Sequence, residues 1–245
     1  AETGTTDTFT VVLNAQPASD VVLAITSGDT GEATVTSALT FTSGNWNSAQ
    51  TVTVTGVDDN LIDGTITSTI TVAVNDGSSN DSFDGVADQT VSVTTTDNDV
   101  AGFTIAQSGG STSVSEAGTT DTFTVVLNAQ PSSDVVFSIS SGDTGEVTVT
   151  GTLTFTAANW NSAQTVTLTG VDDNIIDGSQ TSTTTISIID AITDDAFDGV
   201  ADQTVSVTTT DNDVAGFTIA QTNGSTSVAE TGTTDTFTVV LNAQP

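Results

Sequence analysis

The segment Thr5-Thr6-Asp7-Thr8-Phe9-Thr10 returns at residues 119–124 and again at 233–238, a spacing of 114 residues both times, with no insertion or deletion between. Val57-Asp58-Asp59-Asn60 recurs as Val171-Asp172-Asp173-Asn174, and Asp97-Asn98-Asp99-Val100 as Asp211-Asn212-Asp213-Val214. Most aligned positions are identical, and the differences cluster in residues 65–82 against 179–196. Solenoid units run to about 20–50 residues, whereas whole β-sandwich domains need about 100, so the period describes beads, each with its own core. The expected domains are 1–99, a repeat lacking its first strand; 100–213, a complete repeat; and 214–245, the first strands of a third. Residues 1–17 are identical to residues 229–245. Two explanations compete: a window on a longer array, or end fragments that complete each other between molecules by strand donation. Donation normally supplies a strand that the acceptor lacks, and here the same strand is duplicated, which favours the window.

Within one bead, Thr and Ser alternate with Val, Ile, Leu and Phe, the period-two pattern of half-buried strands. Strands are predicted at 102–107, 111–115, 121–128, 134–140, 146–150, 153–156, 165–171, 181–189 and 203–210, of which about seven should pair into two sheets. Phe123, Val125 and Leu127 share one face, as do Val135, Phe137 and Ile139, and each set predicts an inner face. Trp46 and Trp160, each between two asparagines, are expected to plug the end of a core rather than to serve as sugar platforms. No stretch of some 18 apolar residues is present to span a membrane.

The chain carries 31 Asp and Glu and no Lys, Arg, His or Cys. Guanidinium clamps for phosphate, basic stripes for nucleic acid or anionic lipid, lysine Schiff bases and imidazole proton shuttles are all excluded. Zinc and copper sites lose their usual ligands, and disulfides are ruled out. Hard cations are the partners that remain.

Ser113-Val114-Ser115-Glu116-Ala117-Gly118, then Leu153-Thr154-Phe155-Thr156 with residues 164–174, then residues 204–213, together resemble the Calx-beta module across the whole repeat. The resemblance implies an all-β fold: tandem seven-stranded immunoglobulin-like β-sandwiches in an extended array, with calcium bound in loops at one end. It also implies a setting in long bacterial surface or secreted proteins. Carried over residue by residue, the implied calcium ligands are Glu116, Asp143, Asp172, Asp173, Asp177, Asp211 and Asp213. In the preceding repeat they are Glu2, Asp29, Asp58, Asp59, Asp63, Asp97 and Asp99. The family often has a further acidic residue three positions after Asp177, where this chain has Gln180 and, in the other copy, Ile66. Its closing acidic run is interrupted here by Asn212 and Asn98. Fewer ligands imply one or two calcium ions per bead.

Asp also forms turns and keeps surfaces soluble, and that reading holds for Asp7, Asp20, Asp121 and Asp134. The pairs Asp172 with Asp173 and Asp211 with Asp213 point to ligation, since neighbouring like charges repel unless a cation lies among them. For residues 194–202 an ion site and a solvated hairpin are evenly matched. Two carboxylates suffice for glycoside hydrolysis, but every acidic constellation recurs in register and neither copy has a cleft-building insertion, so no enzyme is expected. Residues 211–218 join two beads without a Gly/Ser or Pro spacer, so a cation held there would stiffen the join. The expected function is a non-catalytic, calcium-stiffened extracellular segment of a surface fibre, filament, biofilm matrix or adhesin stalk. Its partners would be neighbouring repeats or identical chains. The alternative is a calcium-dependent glycan- or protein-binding adhesion module, with residues 65–82 and 179–196 as its variable patch.

Overall fold

Runs in which a β-branched or aromatic residue follows each Thr or Ser can bury one face only as strands, and strands are what they form. The computed structural model describes residues 1–244 and divides the chain into two units, Ala1–Val100 and Ala101–Pro245. Unit 1 holds β1 (Thr6–Val11), β2 (Val21–Ser27), β3 (Ala33–Val35), β4 (Ala38–Phe41), β5 (Gln50–Gly56), β6 (Ile66–Val74) and β7 (Gln89–Thr95). They pair into a three-stranded sheet β1-β5-β3 and a four-stranded sheet β4-β2-β6-β7. The core between them is built on Val21, Leu23, Ile25, Phe41, Val52 and Ile70.

Unit 2 holds β8 (Phe103–Gln107), β9 (Thr112–Ser115), β10 (Thr120–Leu127), β11 (Val135–Ser141), β12 (Val147–Val149), β13 (Thr152–Phe155), β14 (Gln164–Gly170), β15 (Gln180–Ile188) and β16 (Gln203–Thr210). These form a sheet β12-β14-β10-β8 and a sheet β13-β11-β15-β16-β9. The strand faces are as the alternation requires: Phe123, Val125, Leu127, Val135, Phe137 and Ile139 are all buried. Phe137 packs edge-on against Phe103 at 4.8 Å and Phe155 at 5.9 Å between ring centroids.

The sandwich of unit 2 therefore has nine strands where seven were expected. The first strand is split: β8 pairs antiparallel with β10 in one sheet, and β9 pairs parallel with β16 in the other. Between them Gly109 and Gly110 adopt positive φ (65° and 80°), the left-handed conformation that lets the chain cross from sheet to sheet. A short β12 precedes β13 in the same manner, one strand to each sheet. Trp46 and Trp160 are half-buried rather than sealed in the core, and the main-chain carbonyl of Trp160 accepts a hydrogen bond from Leu127 N at 3.2 Å.

After β16 come β17 (Phe217–Gln221) and β18 (Phe237–Leu241), paired only with each other. Phe217, Ile219, Phe237, Val239 and Leu241 are each at least 54% exposed. No helix among the described residues is long and apolar enough to cross a membrane.

Candidate metal centre

Glu116 follows β9 directly. Its N–H donates to the Thr210 carbonyl at the end of β16, fixing it beside Asp211. Close approach here depends on Gly170, because a Cβ at that position would collide with the Ser115 carbonyl. The carboxylate is 1% exposed; Oε2 accepts from Asn212 N at 3.2 Å, and Oε1 is buried without a hydrogen-bond partner. Carboxylate oxygens of Glu116, Asp211 and Asp213 all lie within 4.8 Å of one another. Two oxygens on opposite sides of a calcium ion are separated by roughly 4.6–5.2 Å, so this spread matches the diameter of one coordination shell.

Unit 1 varies the arrangement and extends it, with Asp59 joining Glu2 and Asp99 where unit 2 has Asp211. Glu2, 1% exposed, shares one carboxylate group with Asp59 and Asp99 and another with Glu32 and Asp63, each group again within 4.8 Å. Glu2 thus stands between two oxygen clusters. Its Oε1, together with Glu32 Oε2, Asp63 Oδ1 and Asp99 Oδ2, is buried and unpartnered.

Several implied ligands, Asp211 and Asp59 of the clusters included, have hydrogen-bonding work of their own. Asp211 Oδ1 accepts from Asp213 N at 2.6 Å and Oδ2 from Gly178 N at 2.8 Å, so Asp211 ties the closing strand to the loop of Asp177. Asp97 does the same in unit 1 with Asp99 N and Gly64 N. Asp173 and Asp59 turn their loops by accepting from Ile175 N and Leu61 N. Asp172 accepts from the Asn212 side chain at 2.9 Å. Asp143 and Asp29 cap their own turns through Gly145 N and Gly31 N. The carboxylate groups brought within 4.8 Å therefore do not include Asp29, Asp58, Asp97, Asp143, Asp172, Asp173 or Asp177 among the described residues.

Two buried glutamates without acidic neighbours in the sequence belong here as well, Glu32 within a cluster of unit 1 and Glu146 beside the cluster of unit 2. Glu32 and Glu146 are 6% and 8% exposed, each with an unpartnered Oε2. The Glu146 carbonyl accepts from Val171 N at 2.8 Å, which pins it next to Asp172, and the Glu32 carbonyl accepts from Val57 N in the same way. A signal was present in the sequence: every glutamate of the chain falls at one of two repeat positions, Glu2, Glu116 and Glu230 or Glu32 and Glu146.

The electrostatics agree with the geometry. Burial pushes the Glu116 carboxyl up, the Asn212 N–H partly offsets this, and the charges of Asp211, Asp173 and Asp177 push it further up. Glu146 is raised by burial and by Asp177, Glu116, Asp143 and Asp173. Glu2, Glu32, Asp63 and Asp99 are raised too, burial first and neighbouring carboxylates after it. Asp211 alone of this group is held down, by the N–H groups of Asp213 and Gly178. Carboxylates sequestered from water and facing one another fit a hard cation, and an all-oxygen set without nitrogen or sulfur fits calcium or magnesium rather than zinc.

Within residues 194–202 the chain divides: residues 195, 196, 198, 199, 201 and 202 are exposed, while Asp194 is turned inward. Asp194 is buried, and its carboxylate accepts from Ser132 Oγ and Ser133 N, both at 2.7 Å, and from Ala196 N at 3.0 Å. Burial raises its pKa, but these donors outweigh burial and the net shift is downward. In unit 1 the same position is Asn80, which accepts from Ser82 N and donates to Ser19.

No protein-family model matches the chain, and no curated protein matches it. Among solved structures, the apo form of the Calx CBD1 domain aligns with 45% of this chain and 98% of its own at 15% identity, TM-score 0.33. CBD12 from CALX1.2 aligns with 76% of this chain and 74% of its own at 14% identity, TM-score 0.29. Domains 1–6 of the surface layer protein SbsC align with 90% of this chain and 28% of their own at 18% identity, TM-score 0.38.

Proposed function

We propose that this chain is a non-catalytic, calcium-binding structural segment of an extracellular or cell-surface fibre, with the cations held by the carboxylate clusters at one end of each sandwich. The observation that carries this reading is the set of buried carboxylate oxygens without a hydrogen-bond partner, on Glu2, Glu32, Glu116 and Glu146 above all, in a chain with no Lys, Arg or His to neutralise them. An unpartnered buried carboxylate costs several kcal/mol, a cost that is removed when a cation takes the free lone pairs. Glu2 would bridge two ions in unit 1; Glu116, Asp211 and Asp213 would hold one in unit 2, with Glu146 beside it. The ion supplies fixed positive charge and cross-links a strand end, a loop and the closing strand. It therefore stiffens rather than catalyses.

The test is calorimetric titration of the chelator-treated chain with calcium, followed by small-angle scattering in calcium and in chelator. Saturable binding of at least one ion per repeat, with a narrower range of dimensions in calcium, is the expected result. Absence of binding at millimolar calcium overturns the metal reading. Binding with an unchanged scattering profile overturns the stiffening alone.

A further inference from the structure

Within unit 2, the join between the second and third sequence repeats has two points of attachment. The first is covalent: residues 211–216 lead from the end of β16 to the start of β17. The second is a parallel bridge that pairs Ile175 with Gln244. Gln244 N donates to the Asn174 carbonyl, and Ile176 N donates to the Gln244 carbonyl at 3.1 Å. Both main-chain groups of one residue in the third repeat are thus spent on a loop of the second.

Each side of this bridge is anchored in its own repeat. Asp173 takes the Ile175 N–H at 2.6 Å, which leaves the Asn174 carbonyl and the Ile176 N–H for Gln244. The same loop is tied to the closing segment, with Gly178 N donating to Asp211 at 2.8 Å and the Asn212 side chain to Asp172 at 2.9 Å. On the other side, Asn242 N donates to the Gly216 carbonyl at 2.9 Å, and Thr218 Oγ1 donates to Asn242 Oδ1 at 3.0 Å. A Cβ at Gly216 would stand 2.8 Å from Asn242 Nδ2, so this close approach requires glycine. A ring of bonds therefore runs from Asp211 through residues 172–178, across Gln244 to Asn242 and back to Gly216.

Residue identities agree with a contact at this place. Ile175 and Ile176 are 39% and 38% exposed between Asp173 and Asp177, and an apolar pair returns there as Leu61-Ile62 in the first repeat. Exposed isoleucines do nothing for solubility. The segment that meets them, Asn242-Ala243-Gln244, carries no charge and so approaches an acidic loop without repulsion. It is the same at residues 14–16 and 128–130.

We propose that residues 174–176 are a docking seat for the repeat that follows, and that Asn242-Ala243-Gln244 is the segment the seat takes. A single linker leaves rotation about its own backbone free, and a second attachment off that axis removes it. The angle between the two repeats is thus set by a latch beside the linker. Both latch bonds are main-chain and neither uses a carboxylate, so the latch closes without metal. The inference stands apart from the calcium reading, and its test is run in chelator first.

The chain has no cysteine, so an introduced pair reports on the latch alone. Ile175→Cys with Gln244→Cys alters two exposed positions, and circular dichroism should be unchanged. Bridged residues lie about 5 Å apart, within disulfide reach. At dilute protein in chelator, mild oxidation should close this pair within one chain at least about tenfold faster than the control pair Ile175→Cys with Gln221→Cys, at the far end of β17. Tethered but mobile repeats would close both pairs at similar rates. Ile176→Pro, which removes the donor to the Gln244 carbonyl, should bring the first rate down towards the control. Equal rates for the two pairs overturn the proposal, and so does a fast rate that Ile176→Pro leaves unchanged. Fast closure in calcium but not in chelator also overturns it, while leaving the calcium reading intact.

Discussion

Glu32→Gln separates a ligand from a structural hydrogen-bonding residue, because the two roles predict opposite signs. In the metal-free chain Glu32 faces Glu2 and Asp63 with oxygens within 4.8 Å. At an effective dielectric of about 20, one such pair repels by roughly 3.5 kcal/mol, and solvent reaching the cluster reduces the combined relief from the amide to about 1–2 kcal/mol. For a domain of this size that is a rise of about 5–10 °C in the unfolding midpoint of unit 1 in chelator. Calcium reverses the order. A site filled at a hundredfold over its dissociation constant stabilises by about 2.7 kcal/mol, and the variant, one carboxylate short, forfeits most of this. Differential scanning calorimetry in chelator and in millimolar calcium reads both effects, and unit 2, with Glu146 intact, is the internal reference. If Glu32→Gln lowers the midpoint in chelator and keeps the full calcium increment, the carboxylate is a structural acceptor and the reasoning fails.

Further outcomes follow from the same structure. The raised carboxyls of Glu2, Glu32, Glu116 and Glu146 mean that the folded state holds protons more tightly than the unfolded one. Their stabilising contribution is therefore complete below the ordinary carboxylate range and lost as pH rises through the elevated values; metal-free urea midpoints at pH 5 should exceed those at pH 8, and calcium should remove the difference. Asp194 has the opposite sign, with stability lost as pH falls through its lowered pKa. Asp194→Ala, which orphans the Ser132 and Ser133 donors, should cost about 2–4 kcal/mol by chemical denaturation, and Asp194→Asn less. Phe123→Ala should cost about 3–5 kcal/mol, whereas Phe9→Ala, at the half-exposed counterpart position, should cost clearly less; equal losses would mean that Phe9 is as deeply buried as Phe123. Gly170→Val should destabilise unit 2 and weaken its calcium response together, because the side chain displaces the Ser115 carbonyl next to Glu116.

Strand positions were legible from alternation alone: all nine predicted in the complete repeat are present, with bounds shifted by no more than about two residues. Period two is enforced by the pleat, so Phe123, Val125 and Leu127 could face only one way once β10 formed. The sheet to which a strand belongs is not encoded in its own alternation. The split of the first strand between β10 and β16 follows from a left-handed turn at Gly109 and Gly110, and glycine pairs in loops are too common to read as a crossing.

The acidic residues divide along the same line. Adjacent like charges, visible as a string of letters, singled out Asp172 with Asp173 and Asp211 with Asp213, and of these four only Asp211 and Asp213 lie in a carboxylate group within 4.8 Å among the described residues. Burial is not visible in that way. Glu32 and Glu146 each stand alone in sequence; the fold, which pins their carbonyls to Val57 and Val171, sets Glu32 against Glu2 and Glu146 near enough to Glu116 for their charges to interact. Asp194 looked like part of an acidic loop and proved to be an acceptor for Ser132 and Ser133, some sixty residues earlier in the chain.

By itself, the sequence determined a repeating all-β chain that can neutralise its charge only with ions from outside, since both facts are properties of residue identity and spacing. Which carboxylates are desolvated, and which sheet each strand joins, the tertiary structure decided. Desolvation and sheet membership depend on what packs from distant segments, and no local pattern carries that information.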